Sequence, residues 1–264
     1  MTTTILQKIL KEKESYVTQL MSKRLPELKR EIKRHSLFNL ISSSKQLQVI
    51  AEIKRASPSK GLIQGTVDPA LQALLYQEAG AACISVLTDT PFFKGSYEDL
   101  AAVANTVDIP ILCKDFIIHE IQIDFAKSAG ASVILLIVAA LSKEKLKELY
   151  TYAIENGLEV LVEVHNAQEL DVALQLDAKL IGVNNRDLHS FEVHLTNTAD
   201  LAKHFPFQER RVLISESGIW TTEDAKRVAG YGASAALVGE ALMRSGELQE
   251  SIRSLQVERK VVIL

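Results

Sequence analysis

Cysteine is scarce in this chain, and its two copies, Cys83 and Cys113, both fall inside apolar runs. That excludes a disulfide framework and leaves two buried free thiols as the expectation. No run of about 18 uncharged apolar residues occurs, so neither a membrane-spanning helix nor a membrane partner is expected. The N-terminal stretch MTTTILQKILKEKESYV lacks the continuous apolar core of a signal peptide. Positive charge is not in excess either. The formal net charge is -3 and the sequence pI is about 6.1, which argues against a nucleic-acid partner. The six histidines, at 35, 119, 165, 189, 194 and 204, show no HExxH or other close ligand spacing. No metal is therefore expected, and surface or capping roles are assigned to them; His165, just beyond Glu163, is given no chemical role. The early glycine fingerprint of a dinucleotide fold is missing as well. These absences leave a cytoplasmic, soluble chain, still compatible with a small anionic substrate held by a local cluster of lysines.

What is present is apolar residue in quantity: 264 residues, 47% hydrophobic and 24% charged, can bury a large core. Residues 3–47 read as helical, with Ile5, Ile9, Tyr16, Leu20, Leu25, Leu28 and Ile32 recurring among many Lys and Glu. Beyond them, short apolar runs rich in β-branched residues alternate with amphipathic stretches. The runs are VIAEIKR (49–55), CISVLTD (83–89), ILCKDF (111–116), VILLIV (133–138), EVLVEV (159–164), LIGVNN (180–185), VLISES (212–217) and AALVG (235–239). Their starts lie roughly 20 to 35 residues apart, the length of one βα unit. Helices are expected at 68–79, 119–129, 142–155 and 221–229, several ending at a glycine (Gly80, Gly130, Gly157) suited to a C-cap. Eight such units without a long polar linker predict an α/β fold, a single (β/α)8 TIM barrel over 48–264 preceded by a helical extension over 1–47. An open doubly wound sheet is the rival.

Polar residues interrupt these runs near their C-terminal ends, where barrel enzymes place catalytic groups. Glu52 and Lys54 stand two apart in the first run, Lys114 in the third, Glu163 in the fifth, Asn184 in the sixth and Glu216 in the seventh. An unpaired charge buried inside a barrel costs several kcal/mol, so packing explains this set poorly. The competing reading is a layer of mutual salt bridges plugging the barrel. A second signal is glycine after the last two runs, in Ser217-Gly218-Ile219 and Gly239-Glu240-Ala241. There a barrel commonly binds phosphate on backbone N–H groups, which glycine lets approach closely.

The stretch AEIKRASPSKG (51–61) closely resembles the signature of the indole-3-glycerol-phosphate synthase family. LTD followed by Phe93, Gly95 and Ser96, then CKDFII, LVEVH, IGVNNRDL, SESGI and LVGEALM resemble the same family in the same order. Two departures, Ile121 in place of a common Tyr and Ser132 in place of a common Asp, lie away from the strand ends in question. The resemblance implies a barrel whose N-terminal extension covers part of the mouth. It also implies a substrate, 1-(2-carboxyphenylamino)-1-deoxyribulose 5-phosphate, converted to indole-3-glycerol phosphate, carbon dioxide and water in tryptophan biosynthesis.

Carried onto this sequence, the resemblance makes Lys114 the general acid and gives Glu52 the task of holding or polarising it. Lys54 would bind the substrate carboxylate, add a contact to the phosphate, or exchange roles with Lys114. Glu163 is the expected base or shuttle, and Asn184 the partner of the departing hydroxyl. Arg186 and Glu216 would form a supporting polar shell, Phe93 and Phe116 the pocket for the aromatic ring, and Ser57 a further substrate contact. Ser217, Gly218, Gly239 and Glu240 are the expected phosphate site. Proton transfer and orientation suffice for each step, so no cofactor is expected. A monomer is expected. Two alternatives remain open: another phosphosugar barrel enzyme such as a phosphoribosylanthranilate isomerase, and a non-catalytic barrel acting as a scaffold.

Overall fold

The computed structural model describes residues 4–58, 60–188 and 190–259. Ser59 of the signature stretch and His189 lie outside the described residues.

Eight parallel strands close into a barrel: β1 (Gln48–Ile53), β2 (Cys83–Leu87), β3 (Ile111–Lys114), β4 (Val133–Ile137), β5 (Glu159–Val164), β6 (Leu180–Asn184), β7 (Val212–Glu216) and β8 (Ala235–Val238). Neighbours in sequence are neighbours in space, and β8 returns to pair with β1, Gln48 facing Ala235. Each strand falls on one predicted run; seven runs lose one or two residues at the C-terminal end, where the chain turns into the mouth loops, the fifth matches its strand in full, and β1 begins one residue earlier than its run. The helices are α1 (Ile5–Leu20), α2 (Leu37–Ser42), α3 (Pro69–Glu78), α4 (Thr90–Phe93), α5 (Tyr97–Ala104), α6 (Glu120–Ser128), α7 (Lys143–Glu155), α8 (Ala167–Gln175), α9 (Thr196–Ala202), α10 (Thr222–Gly230), α11 (Glu240–Met243) and α12 (Leu248–Leu255). The expected helices at 68–79, 119–129, 142–155 and 221–229 are α3, α6, α7 and α10. Gly80, Gly130 and Gly157 follow three of these helices with φ of 93°, 95° and 76°. His119 accepts the N–H of Ile121 and caps α6, the capping role expected of a histidine.

Alternation along the strands separates two cores. One lies between the strands and the surrounding helices. The other fills the barrel with Ile50, Cys83, Leu112, Leu161, Ile214 and their neighbours, all essentially without exposure. Both cysteines are buried and free.

The extension, expected to be helical over 3–47, is so only in part. It is helical only at 5–20 and 37–42. Pro26 lacks an N–H and disfavours a helical Leu25, so the intervening chain runs extended along the barrel wall. Its backbone and arginines find partners there: Lys29 N–H donates to Asn105 (2.9 Å), Arg30 donates to the carbonyls of Ala104 and Val107, and Arg34 to that of Ala131 (3.0 Å). The segment thus reaches both ends of the barrel. Leu37 and Ile41 of α2 insert into the interior core at the N-terminal end, where Ser36 Oγ and Leu37 N–H donate to the carboxylate of Glu159 (2.5 and 2.6 Å). At the other end α1 lies over the mouth, with Ile5, Leu6 and Ile9 in its lining.

Candidate active site

The strands carry interior positions two residues apart, and the sequence changes character along them. Ile50 gives way to Glu52 and Lys54, Leu112 to Lys114, Leu161 to Glu163, Ile214 to Glu216. A cavity opens where the charges begin. All fourteen residues singled out from sequence line it: Glu52, Lys54, Ser57, Phe93, Lys114, Phe116, Glu163, Asn184, Arg186, Glu216, Ser217, Gly218, Gly239 and Glu240. Ser57 arrives on a two-stranded ribbon, 56–57 against 61–62, that follows β1. Ile121 and Ser132 lie outside the cavity lining, on α6 and just before β4.

Lys114 is the centre of the charged layer. Its Nζ lies 3.0 Å from Glu216 Oε2 and 3.2 Å from Glu163 Oε2, and its side chain is 14% exposed. Burial alone would lower its pKa, but the carboxylates of Glu216 and Glu163, with Glu52 farther off, outweigh burial and hold the ammonium well above its usual range. Glu52 was expected to hold or polarise Lys114. Its direct partner is Lys54, at 2.6 Å, and it acts on Lys114 through space. The reason is reach: Lys54, just past the end of β1, returns its chain onto the carboxylate two residues back.

The two glutamates around Lys114 differ. Burial would raise Glu163, but Lys114, His165 and the Asn184 amide (Nδ2 to Oε1, 3.0 Å) prevail and keep it ionised far below the carboxylate range. Glu216 is pushed up to about 7, first by burial, with Lys114 opposing and the negative charge of Glu163 adding to the rise. The three groups exchange charge as one coupled unit. Room for it is built into the backbone: a Cβ at Gly182 would stand 2.1 Å from Glu216 Oε1, and one at Gly239 would stand 2.5 Å from Glu52 Oε1.

Around this layer, Asn184 Oδ1 accepts the Arg186 N–H (3.0 Å), and Arg186 donates to the carbonyl of Phe191 (3.1 Å). Phe93 and Phe116 face each other across one side of the mouth, ring centroids 6.0 Å apart and planes tilted 33°. On the opposite strands, Ser217 and Gly218 both take positive φ (66° and 83°) after β7, and α11 begins at Glu240 after β8. The Glu240 carboxylate turns away to Arg244 (3.0 Å).

Sequence reasoning missed the roles of four residues. His165 Nε2 lies 3.3 Å from Glu163 Oε1 and Nδ1 lies 3.0 Å from Glu169 Oε2. Burial would lower its pKa, but the two carboxylates raise it to about 10, so it is a second cation beside Glu163. Its position one β-residue pair past Glu163 was the available signal. Lys13 and its partners Asp89 and Asp115 were the other omissions. Lys13 carried no signal, being one of many lysines on a helix.

The charged layer does consist of mutual ion pairs, as the competing salt-bridge reading requires. Such pairs are poor stabilisers, since desolvation offsets their attraction. Here they also line an open cavity rather than fill one.

The sequence model described as "Indole-3-glycerol phosphate synthase" matches residues 6–255. The chain is 52% identical to the indole-3-glycerol phosphate synthase of Oceanobacillus iheyensis over 96% of its own length and 97% of that protein's. With that of Bacillus cereus it shares 50%, over 96% and 98%. Among solved structures, a 3-hexulose-6-phosphate synthase (TM-score 0.61, 17% identity, covering 80% of this chain and 97% of that one) has the same fold. So does a thiamine phosphate pyrophosphorylase from Pyrococcus furiosus (0.59, 16%, 83% and 96%). Near-full-length identity of this order, on a barrel whose mouth gathers the fourteen expected site residues, establishes that the chain belongs to the indole-3-glycerol phosphate synthase family.

Proposed function

We propose that the mouth closes the indole ring of 1-(2-carboxyphenylamino)-1-deoxyribulose 5-phosphate, releasing carbon dioxide and water to give indole-3-glycerol phosphate. The observation that carries this reading is the ammonium of Lys114, held between two carboxylates at the floor of a cavity with an aromatic wall on one side and a glycine turn on the other.

The ring carbon bearing the carboxylate attacks the ketone carbon, and Lys114 donates a proton to the ketone oxygen as the bond forms. Loss of carbon dioxide leaves a hydroxyl that departs as water with a proton from Lys54, which takes over the role of acid from Lys114 at this step, while a proton leaves the adjoining carbon or nitrogen. Glu163 is the acceptor. It is a weak base while Lys114 is charged, because that ammonium is the chief influence stabilising its own charge. Once Lys114 has given up its proton that part of the stabilisation is gone, and Glu163, still beside His165 and Asn184, becomes a stronger base at the step that needs one. Glu216, titrating near neutrality, can return a proton to Lys114 across 3.0 Å. Asn184 holds the hydroxyl without titrating, and Arg186 supports that side. Phe93 and Phe116 hold the aminobenzoate ring. Lys54, drawn to Glu52, binds the substrate carboxylate or approaches the phosphate, and Ser57 adds a polar contact.

The phosphate is placed against Ser217, Gly218, Gly239 and Glu240, the last through its N–H, at the helix start after β8. Both glycines also have a steric reason to be glycine. A Cβ at Gly218 would meet Val193 Cγ1 at 2.4 Å, so enlarging Gly218 would disturb the turn whether or not phosphate binds there. Competition by inorganic phosphate, absent with a dephosphorylated substrate analogue, is the cleaner test. Action as a monomer in the cytoplasm belongs to the same proposal; no helix among the described residues is long and apolar enough to cross a membrane.

The deciding experiment adds the synthetic carboxyphenylamino substrate to the purified protein and follows indole fluorescence. Rising fluorescence is expected. Absence of product, or conversion of phosphoribosylanthranilate instead, would overturn the assignment and favour the scaffold or the isomerase respectively.

A further inference from the structure

Lys13 sits at mid-helix in α1 with its side chain 2% exposed. Its Nζ lies 3.0 Å from Asp89 and 2.5 Å from Asp115, and 4.9 Å above the ring of Tyr16. Neither carboxylate is an isolated surface group. Asp89 caps α4, accepting the Phe92 N–H at 2.8 Å, and α4 ends at Phe93. Asp115 follows Lys114 directly and accepts the N–H of Phe116 (2.7 Å) and the hydroxyl of Thr88 (2.8 Å). One ammonium therefore ties together the loop after β2, the loop after β3 and the helix that lies over the mouth. Those two loops carry the two rings of the aromatic wall.

A buried cation with two buried carboxylates is an expensive way to dock a helix. Apolar contacts from Leu6, Ile9 and Val17, all buried, would do it at lower desolvation cost. What an ion triad adds over apolar contact is directional register between the groups it joins, so the arrangement fits positioning better than adhesion.

We propose that Lys13 is a positioning residue for the aromatic wall: it sets the spacing of Phe93 and Phe116 and makes seating of α1 over the mouth a condition for that spacing. The inference rests on the reading of this wall as the binding site of the aminobenzoate ring. Lys13 touches none of the reacting atoms; it acts through the two aspartates. The phosphate end, on the loops after β7 and β8, lies outside this network.

The test compares wild type, Lys13→Met, and the triple variant Lys13→Met/Asp89→Asn/Asp115→Asn. The triple variant keeps the hydrogen-bonding groups that cap α4 and hold Phe116 but leaves no stranded charge. Turnover of the synthetic substrate, inhibition by inorganic phosphate and thermal melting are measured on all three. Lys13→Met is expected to lower the melting temperature, and the triple variant to recover most of it. In the triple variant the KM is expected to stay raised by about tenfold or more, the scale of a misplaced binding wall, with kcat less affected and the phosphate inhibition constant unchanged. Wild-type KM returning together with stability would overturn the proposal. So would a parallel loss of substrate and phosphate affinity, or failure of both variants to fold, since each describes a purely structural network. Absence of turnover by wild type would instead count against the functional reading on which the inference rests.

Discussion

The two ends of the barrel are built on the same strands and the same interior-facing positions, yet they do opposite things. At the N-terminal end, Leu112, Leu161, Val212 and Ile214 pack against Leu37 and Ile41 of α2 in a sealed apolar core. Two residues farther along, Lys114, Glu163 and Glu216 form a charged layer that remains open to a cavity. The lower layer lowers the free energy of the fold; the upper one holds charges in place that folding alone would not select. The extension repeats the contrast, plugging one end with α2 and lying over the other with α1.

This contrast predicts a clean separation of effects. Replacing Lys114 by Met should cut kcat by roughly two to four orders of magnitude, the scale of general acid catalysis, while the protein melts near the wild-type temperature and KM changes far less. Near wild-type turnover would remove Lys114 from the role of acid and leave Lys54 as the candidate. One step below Glu163, Leu161→Ala should do the reverse. Chemical denaturation is expected to show a loss of about 2–5 kcal/mol for the fully buried side chain, and kcat of the folded protein should stay nearly intact. A large drop in kcat without loss of stability would mean the two layers are not separable.

Glu163→Gln keeps the size and the Asn184 contact but removes the proton acceptor. Rapid-mixing experiments should show dehydration slowed by roughly 10- to 100-fold, more than ring closure is. Uniform slowing of all steps, accompanied by loss of folded structure, would point to the salt-bridge plug instead. The smallest effect is expected at His165. Its folded pKa, about 10, lies above its ordinary 6.5, so its ion pairs with Glu163 and Glu169 stabilise the protein fully below pH 6.5. That contribution fades as pH rises through 10. Melting curves of His165→Gln against wild type should differ by roughly 2–4 °C at pH 6 and converge by pH 10. A gap independent of pH would show that the imidazole is not the charged partner of Glu163.

Much of this was legible before any coordinates. Eight runs became eight strands because a buried parallel strand must be apolar on both faces. A charge at a strand end is conspicuous for the same reason, so Glu52, Lys54, Lys114, Glu163 and Glu216 stood out. Lys13 did not, because on an amphipathic helix a lysine is the expected residue and nothing local marks the one that turns inward. Asp89 and Asp115 fell inside the runs CISVLTD and ILCKDF, where they were given no role of their own. The gap between α1 and α2 was hidden as well, since apolar spacing in that segment resembles a helix, and only the barrel wall supplies the partners that satisfy an extended chain.

Sequence alone thus determined the strands, their inward-facing positions and the residue types gathered at one end, because strand periodicity is local and charges in apolar runs are costly. Pairing was decided only by the tertiary structure: Glu52 with Lys54, Lys114 shared by Glu163 and Glu216, His165 beside Glu163, and Lys13 between Asp89 and Asp115. Those choices depend on distances of a few ångströms between groups up to 102 positions apart in the chain, which closure of the barrel sets.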